Sequence, residues 1–264
     1  MPKLIILQIL SHIVSDFYLQ TDKSCKNKAE KGFCSVSLYV HTLITFVLSW
    51  AFSLIYPYTF DFWWAAILIA VLHGLIDGLK SVFKRVPWAF FIDQLLHLVV
   101  IVSVCCLFDR AVCHKVPPQD CGDFCPILNW LSMPTLLWIT AFLFCLRPAN
   151  LFIKEIVSNA RIAIPETGGA DANSQEVSES KGAAVSHELP NAGRVIGDVE
   201  RVLTLIFMIF GHFEAIGFLL AAKSLLRFKE EDSVKSEYVL VGTLLSFGMA
   251  IVAGALVLLV MRMI

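Results

Sequence analysis

The sequence predicts an all-α fold: a polytopic transmembrane helical bundle with six or seven spans. Of its 264 residues, 57% are hydrophobic and only 16% are charged, and the mean hydropathy is +0.73. A single soluble core cannot hide so much apolar surface, so membrane lipid must be part of the solvent of the folded chain. The chain also contains several runs of roughly 20 mostly apolar residues, the length that one helix needs to cross a bilayer.

Seven apolar runs are candidate spans: 3–20, 36–56, 62–83, 89–108, 127–146, 198–222 and 238–262. The first is the weakest, because it is short and is interrupted by His12 and Asp16. The runs divide the chain into an N-terminal bundle (1–146), a polar segment (147–197) and a C-terminal helix pair (198–264). Because the first run lacks a small-residue cleavage site, we expect it to stay in the mature protein.

The polar segment has two parts. Residues 147–164 begin with Arg147 and Pro148 and carry isoleucine and valine at roughly helical spacing, which is typical of an amphipathic helix on a membrane surface. Residues 166–190 are small, polar and acidic, which predicts a disordered linker that could contact a protein partner. The net charge of −1 argues against a nucleic-acid partner, and a homo-oligomer is compatible with this composition.

Lysine and arginine favour the cytoplasmic side of a membrane and therefore predict the topology. The first loop carries four lysines and is expected inside: Lys23, Lys26, Lys28 and Lys31. The loop 109–126 then lies outside, where an oxidising compartment would allow two of Cys113, Cys121 and Cys125 to form a disulfide. Basic residues after the run 198–222 contradict this pattern. Either that run does not fully cross, or one span is misassigned.

Three pairs of histidine and aspartate in the N-terminal runs share one spacing of four residues. The pairs are His12 and Asp16, His73 and Asp77, and Asp93 and His97. On a helix, this spacing places an imidazole and a carboxylate on the same face. An ionisable group at the bilayer centre costs roughly 2.5–3.5 kcal/mol, so we expect the three pairs to face one another rather than lipid. His41, in the second run, adds a fourth imidazole.

Imidazole and carboxylate together form the ligand set that borderline divalent metals prefer, chiefly Zn²⁺, with Mn²⁺ or Fe²⁺ as alternatives. All six paired residues are therefore candidate metal ligands. A bound ion with an open position would lower the pKa of water and supply a hydrolytic nucleophile. Asp16 is then a candidate general base, while Lys80 would stabilise developing negative charge and His41 would support the site. The sequence thus favours a metal-dependent hydrolase acting on a lipid phosphate or a membrane peptide.

Two other interpretations stay open at this point. Histidine and aspartate inside membrane helices also serve as interhelical hydrogen-bond partners without any chemistry. Alternatively, the same residues could bind an ion or protons in a membrane sensor, channel or effector. The sequence contains no HExxH, GxSxG or P-loop motif that would decide between an enzyme and these alternatives.

Motifs along most of the chain resemble a family of uncharacterised bacterial inner-membrane proteins, a domain of unknown function that is sometimes fused to a SatD-like domain. The resemblance rests on HIVSDFYLQ at 12–20, HGLIDGLK at 73–80 and DQLLH at 93–97, and it extends to FEAIGFLLAAKS at 213–224. It implies a multi-pass protein of the bacterial inner (plasma) membrane but no activity. The HxxxD pattern is also similar, more weakly, to membrane-bound metal-dependent hydrolases related to YdjM, which implies metal hydrolysis.

Overall fold

A computed structural model describes residues 2–56, 59–80, 88–113, 131–159, 192–227 and 233–263. All regular secondary structure within these ranges is helical, which confirms the predicted all-α class for this part of the chain. The linker 166–190 and the cysteines Cys121 and Cys125 lie outside the described residues. The predictions of a disordered linker and of a disulfide therefore stay predictions.

The described residues of the N-terminal half form five α-helices: α1 (Pro2–Ile13), α2 (Asp22–Lys31), α3 (Val36–Ser53), α4 (Trp63–Lys80) and α5 (Ala89–Cys113). Those of the C-terminal half form five more: α6 (Met133–Leu146), α7 (Pro148–Asn159), α8 (Ala192–Ile209), α9 (Phe213–Arg227) and α10 (Ser233–Met263). The helix α1 continues directly into a π-helical turn, Val14–Leu19. A π-helical segment is rare and is frequently found at functional sites.

In the described part of the chain, five helical segments are long and apolar enough to cross a membrane: Pro2–Leu19, Val36–Ser53, Phe60–Lys80, Ala89–Ala111 and Leu240–Met263. The helices α6 and α7 form a sixth if this pair, bent by 46°, is a single span. Large apolar side chains also cover the outer surface of these helices; Val36, Leu43 and Leu95, for example, are each more than 60% exposed. Exposed apolar surface on this scale is expected where lipid surrounds the helices.

Local sequence explains where several helices begin. Thr21 caps α2, because its side-chain oxygen accepts a hydrogen bond from the backbone N–H of Ser24 at 3.3 Å. Ser132 caps α6 in the same way, with the N–H of Thr135 as donor. Pro148 opens α7, where its missing N–H costs nothing, and thereby sets the bend after α6.

The helix α1 lies between the two apolar cores of the bundle. Its residues Leu7 and Leu10 pack with buried side chains of α6, α8 and α10, whereas Leu4 packs with α4 and α5. The helices α3 and α4 approach closely at Gly74, where an added Cβ would lie 2.5 Å from the Thr42 hydroxyl oxygen. This close approach brings the polar faces of α1, α3, α4 and α5 together.

The apolar run 198–222 is not one continuous helix. It is divided between α8 and α9 by a break at Gly211, whose backbone has φ +74°, a conformation that glycine adopts without steric cost. Lys223 on α9 donates to Glu200 on α8 at 2.5 Å, and these residues lie at similar distances along the chain from Gly211. The two helices therefore run antiparallel as a hairpin.

A buried arginine connects the C-terminal helices to one another. The guanidinium of Arg201 on α8 donates to the Cys145 carbonyl at 2.6 Å, to Ser246 Oγ at 2.7 Å, to Asn150 Oδ1 at 2.6 Å and to Asp198 Oδ1 at 2.5 Å. Its acceptors come from α6, α7, α8 and α10. Because a buried charge is tolerated only when it is paired and hydrogen-bonded, this arginine fixes how the four helices meet.

Candidate metal centre

Four neighbouring elements bring the predicted site residues together inside the bundle. The helix α1 and its π-helical turn contribute His12 and Asp16, α3 contributes His41, α4 contributes His73 and Asp77, and α5 contributes Asp93 and His97. All seven side chains are at most 7% exposed. We call these seven residues the His/Asp cluster. Sequence spacing predicted their convergence, while their role as metal ligands stays a prediction.

One half of the cluster is a compact group of nitrogen and oxygen atoms. His41 Nε2 and His73 Nε2 are 3.0 Å apart, and each lies 3.3 Å from Asp16 Oδ1. Asp77 Oδ2 lies 3.7 Å from the His41 nitrogen and 3.9 Å from the His73 nitrogen. Two imidazoles and two carboxylates from three elements therefore point at one small volume.

The other half of the cluster is built by α4 and α5. His97 Nε2 lies 3.8 Å from Asp77 Oδ1 and 3.6 Å from Asp93 Oδ1. The rings of His73 and His97 stack with their centroids 4.0 Å apart. Asp77 thus belongs to both halves, with one carboxylate oxygen toward each.

His12 lies at the edge of the cluster. Its Nδ1 is 3.5 Å from Asp16 Oδ1, and its Nε2 is 3.3 Å from Gln94 Oε1. Gln94 also donates to Asp93 Oδ2 at 3.2 Å, so it joins His12 to the carboxylate on α5. No sequence pattern distinguishes Gln94 beyond its position next to Asp93.

Two lysines pair with the carboxylates of the cluster. Lys28, on α2, donates to Asp77 Oδ2 and is buried. Lys80, at the end of α4, donates to Asp93 Oδ2 at 2.7 Å. Lys80 was predicted to assist the site, whereas Lys28 was assigned only to a cytoplasmic loop. No pattern in the sequence distinguishes Lys28 from the other lysines of α2.

The residues present fit a divalent metal in two respects. A tetrahedral ion with bonds of about 2.0–2.1 Å holds its ligand atoms roughly 3.3–3.4 Å apart, and the contacts among His41, His73 and Asp16 are 3.0–3.3 Å. Several buried ligand atoms also lack a hydrogen-bond partner among the described residues: His12 Nδ1, Asp93 Oδ1, His97 Nδ1 and His97 Nε2. Buried polar atoms are normally paired, so such a concentration of unpaired ones indicates a ligand.

A cavity of about 520 Å³ connects the cluster to the edge of the bundle. Asp16, Asp77 and Asp93 line it together with Lys28 and Lys80. Its remaining lining comes mainly from α2, the start of α5 and the helix α7. A small molecule could therefore reach the carboxylates of the cluster.

The fold and the cluster together define a helical, membrane-type protein with a buried histidine and aspartate centre. Residues 4–116 match a family model described as "Protein of unknown function (DUF3307)", so this part of the chain is similar to an uncharacterised family. The matched segment includes every residue of the His/Asp cluster. No curated protein and no solved structure matches the chain. These comparisons give no support to the similarity to YdjM-related hydrolases or to the fusion with SatD-like domains.

Proposed function

We propose that this protein is a metal-dependent hydrolase embedded in the bacterial inner membrane, acting on a lipid phosphate or a membrane peptide. The observation that carries the proposal is the convergence of four imidazoles and three carboxylates at the end of a cavity. So many buried ionisable groups are costly within apolar helices, and they are retained mainly where they perform a function. We propose a divalent metal, Zn²⁺ first, with Mn²⁺ or Fe²⁺ as alternatives.

The chain's own residues suit hydrolysis of an anionic ester. A bound divalent ion supplies a water of lowered pKa and polarises the ester. Asp16 lines the cavity and would take the proton of the attacking water, while the bond from phosphorus to the alcohol oxygen breaks and that oxygen gains a proton. Lys28 and Lys80 line the same cavity and would attract a phosphate group. His41, 3.0 Å from His73, would orient this centre.

A second space favours a lipid over a peptide as the substrate. An apolar groove of about 350 Å³ runs between α4 and α5 and is lined by Ile76, Leu79, Ile92 and Leu96, among others. Lys80 and Asp93 line both this groove and the cavity. An acyl chain in the groove would therefore leave its head group beside Lys80, at the entrance to the cluster.

One observation favours the alternative, a sensor, channel or effector that uses the cluster to bind an ion or protons. The ion pairs of Lys28 with Asp77 and of Lys80 with Asp93 balance two of the three carboxylates with the chain's own charges. Such a network can be stable without a metal, and protonation of one member would rearrange the others. The alternative predicts no stoichiometric metal and no turnover.

Metal analysis separates the two functions. The protein is purified in detergent, and its metal content is measured for the wild type and for the double variant His73→Ala/His97→Ala. His212→Ala is the matched control, because His212 is exposed at the α8–α9 turn, away from the cluster. We expect stoichiometric metal in the wild type and in the control, and its loss in the double variant.

An activity assay then tests the hydrolase itself. Phosphate release is followed from a short-chain lipid phosphate in mixed micelles, with the double variant as the inactive reference. We expect release by the metal-loaded wild type and by His212→Ala only. Metal bound without any release from lipid phosphates or cleavage of membrane peptides would favour the alternative, and equal metal in all three proteins would rule out the centre proposed here.

A further inference from the structure

We infer that the His/Asp cluster binds two divalent ions, with the carboxylate of Asp77 bridging them. This inference rests on the proposed metal centre and extends it from one ion to two. One ion would lie among His41, His73, Asp16 and Asp77. The other would lie among Asp77, Asp93 and His97.

The number of ligand groups exceeds what one ion can use. A zinc ion in a protein takes four ligands, and a catalytic zinc takes three and keeps one position for water. The cluster supplies seven imidazole and carboxylate groups that point inward. His41, His73, Asp16 and Asp77 alone provide a full set for one ion, which leaves His12, Asp93 and His97 without a use in a single site.

The orientation of Asp77 connects the two sites. Its Oδ2 lies 3.7 Å from His41 Nε2 and 3.9 Å from His73 Nε2. Its Oδ1 points the other way, 3.8 Å from His97 Nε2. A carboxylate that offers one oxygen to each of two ligand groups has the arrangement of a bridging ligand, and two-metal hydrolytic sites hold their ions about 3.5–4 Å apart.

The second site uses atoms that the lysines leave free. Lys28 donates to Asp77 Oδ2 and Lys80 to Asp93 Oδ2, whereas Oδ1 of each aspartate faces His97. Asp93 Oδ1 and both ring nitrogens of His97 are buried without a hydrogen-bond partner among the described residues, and His97 is only 1% exposed. An ion here would satisfy Asp93 Oδ1 and His97 Nε2 without displacing Lys80.

Two ions would suit a phosphate ester better than one. In two-metal sites one ion stabilises the attacking oxygen and the other the leaving oxygen. Asp77 and Asp93 both line the cavity, so the second site is open on the side from which a substrate would arrive. The inference therefore assigns the phosphate of a lipid substrate to the position between the two ions.

The test is a titration of the detergent-purified full chain with Mn²⁺, combined with electron paramagnetic resonance. We expect two Mn²⁺ per chain and the spectrum of an exchange-coupled pair. His97→Ala should keep only the ion at His41, and His41→Ala should keep only the ion at His97. Each single variant should therefore bind one Mn²⁺ and give an uncoupled spectrum, while His212→Ala should match the wild type.

The outcomes separate this inference from the proposed metal centre. One Mn²⁺ per wild-type chain, with an uncoupled spectrum, would overturn the two-ion inference and leave a single-metal hydrolase intact. No bound Mn²⁺ or Zn²⁺ in the wild type would overturn both. Two ions that persist unchanged in His97→Ala would place the second ion elsewhere and also overturn the inference. Circular dichroism and size-exclusion chromatography check that each variant is folded, and Asp93→Asn repeats the test of the second site with a nearly isosteric change.

Discussion

Lys28 would compete with a bound metal for one oxygen atom, and its removal should tighten metal binding. Its ammonium group donates to Asp77 Oδ2, the oxygen that faces His41 and His73. An ion and an ammonium that share one carboxylate oxygen lie about 4 Å apart, where charges of +2 and +1 repel by about 2 kcal/mol even at the dielectric constant of water. That free energy corresponds to roughly thirtyfold in affinity.

We therefore expect Lys28→Gln to lower the dissociation constant for Zn²⁺ by at least tenfold. The assay is competition with a chromogenic zinc chelator in detergent at neutral pH. Lys31→Gln is the matched control, since Lys31 ends the same helix but is exposed and should change affinity little. An unchanged or weaker affinity in Lys28→Gln would mean that the ion does not use Asp77 Oδ2, and the site as drawn would be wrong.

Three further changes test the bundle and the cavity. Arg201→Met should lower the free energy of unfolding by about 2–4 kcal/mol, because buried acceptors on four helices lose a charged donor; chemical unfolding in detergent measures this. Gly74→Ala should lower the free energy of unfolding by about 1–3 kcal/mol in the same assay, because the new Cβ would lie 2.5 Å from the Thr42 oxygen beside the cluster. The same substitution should lower the metal content. Partial desolvation raises the pKa of the Cys25 thiol even though the residue is exposed, so its maleimide labelling should be slower than that of glutathione at pH 8 and should keep accelerating at more alkaline pH.

Each of these changes has its own reference. Arg194→Met removes an exposed arginine of α8, the helix that holds Arg201, and should keep the free energy of unfolding within about 0.5 kcal/mol of the wild-type value. Gly248→Ala adds a Cβ that meets nothing within 4 Å and should be tolerated. Cys25→Ser should remove the slow component of maleimide labelling that is assigned to the Cys25 thiol. Equal stability of Arg201→Met and Arg194→Met would refute the role of Arg201, and Cys25 labelling as fast as glutathione at pH 8 would refute the raised pKa of its thiol.

The convergence of the cluster could be predicted because it follows from local spacing and from solvent. Four-residue spacing within one helix fixes which side chains share a face, and hydrocarbon makes any outward-facing carboxylate costly. These two facts suffice to bring α1, α4 and α5 together through His12, His73 and Asp93. They hold whichever loops connect the helices.

Other features depend on tertiary contacts that leave no mark in the sequence. Lys28 enters the cluster because α2 packs against α3 and α4, a contact that nothing in the sequence around the α2 lysines indicates. The π-helical turn at Asp16 has no sequence signature. Hydropathy predicted one span at 198–222, because the average over a window does not register a single glycine with positive φ at Gly211.

Because α8 and α9 form a hairpin, the run 198–222 would not count as one crossing of the membrane. A hairpin that leaves on the side from which it entered would add no net crossing, and the basic residues in the last turns of α9, including Lys223 and Arg227, would stay in the compartment of the preceding linker. The charge conflict created by a single span at 198–222 would then disappear. With one crossing by α10, Met263 would lie on the membrane face opposite the linker and opposite α2, and a reporter fused after Ile264 tests this side.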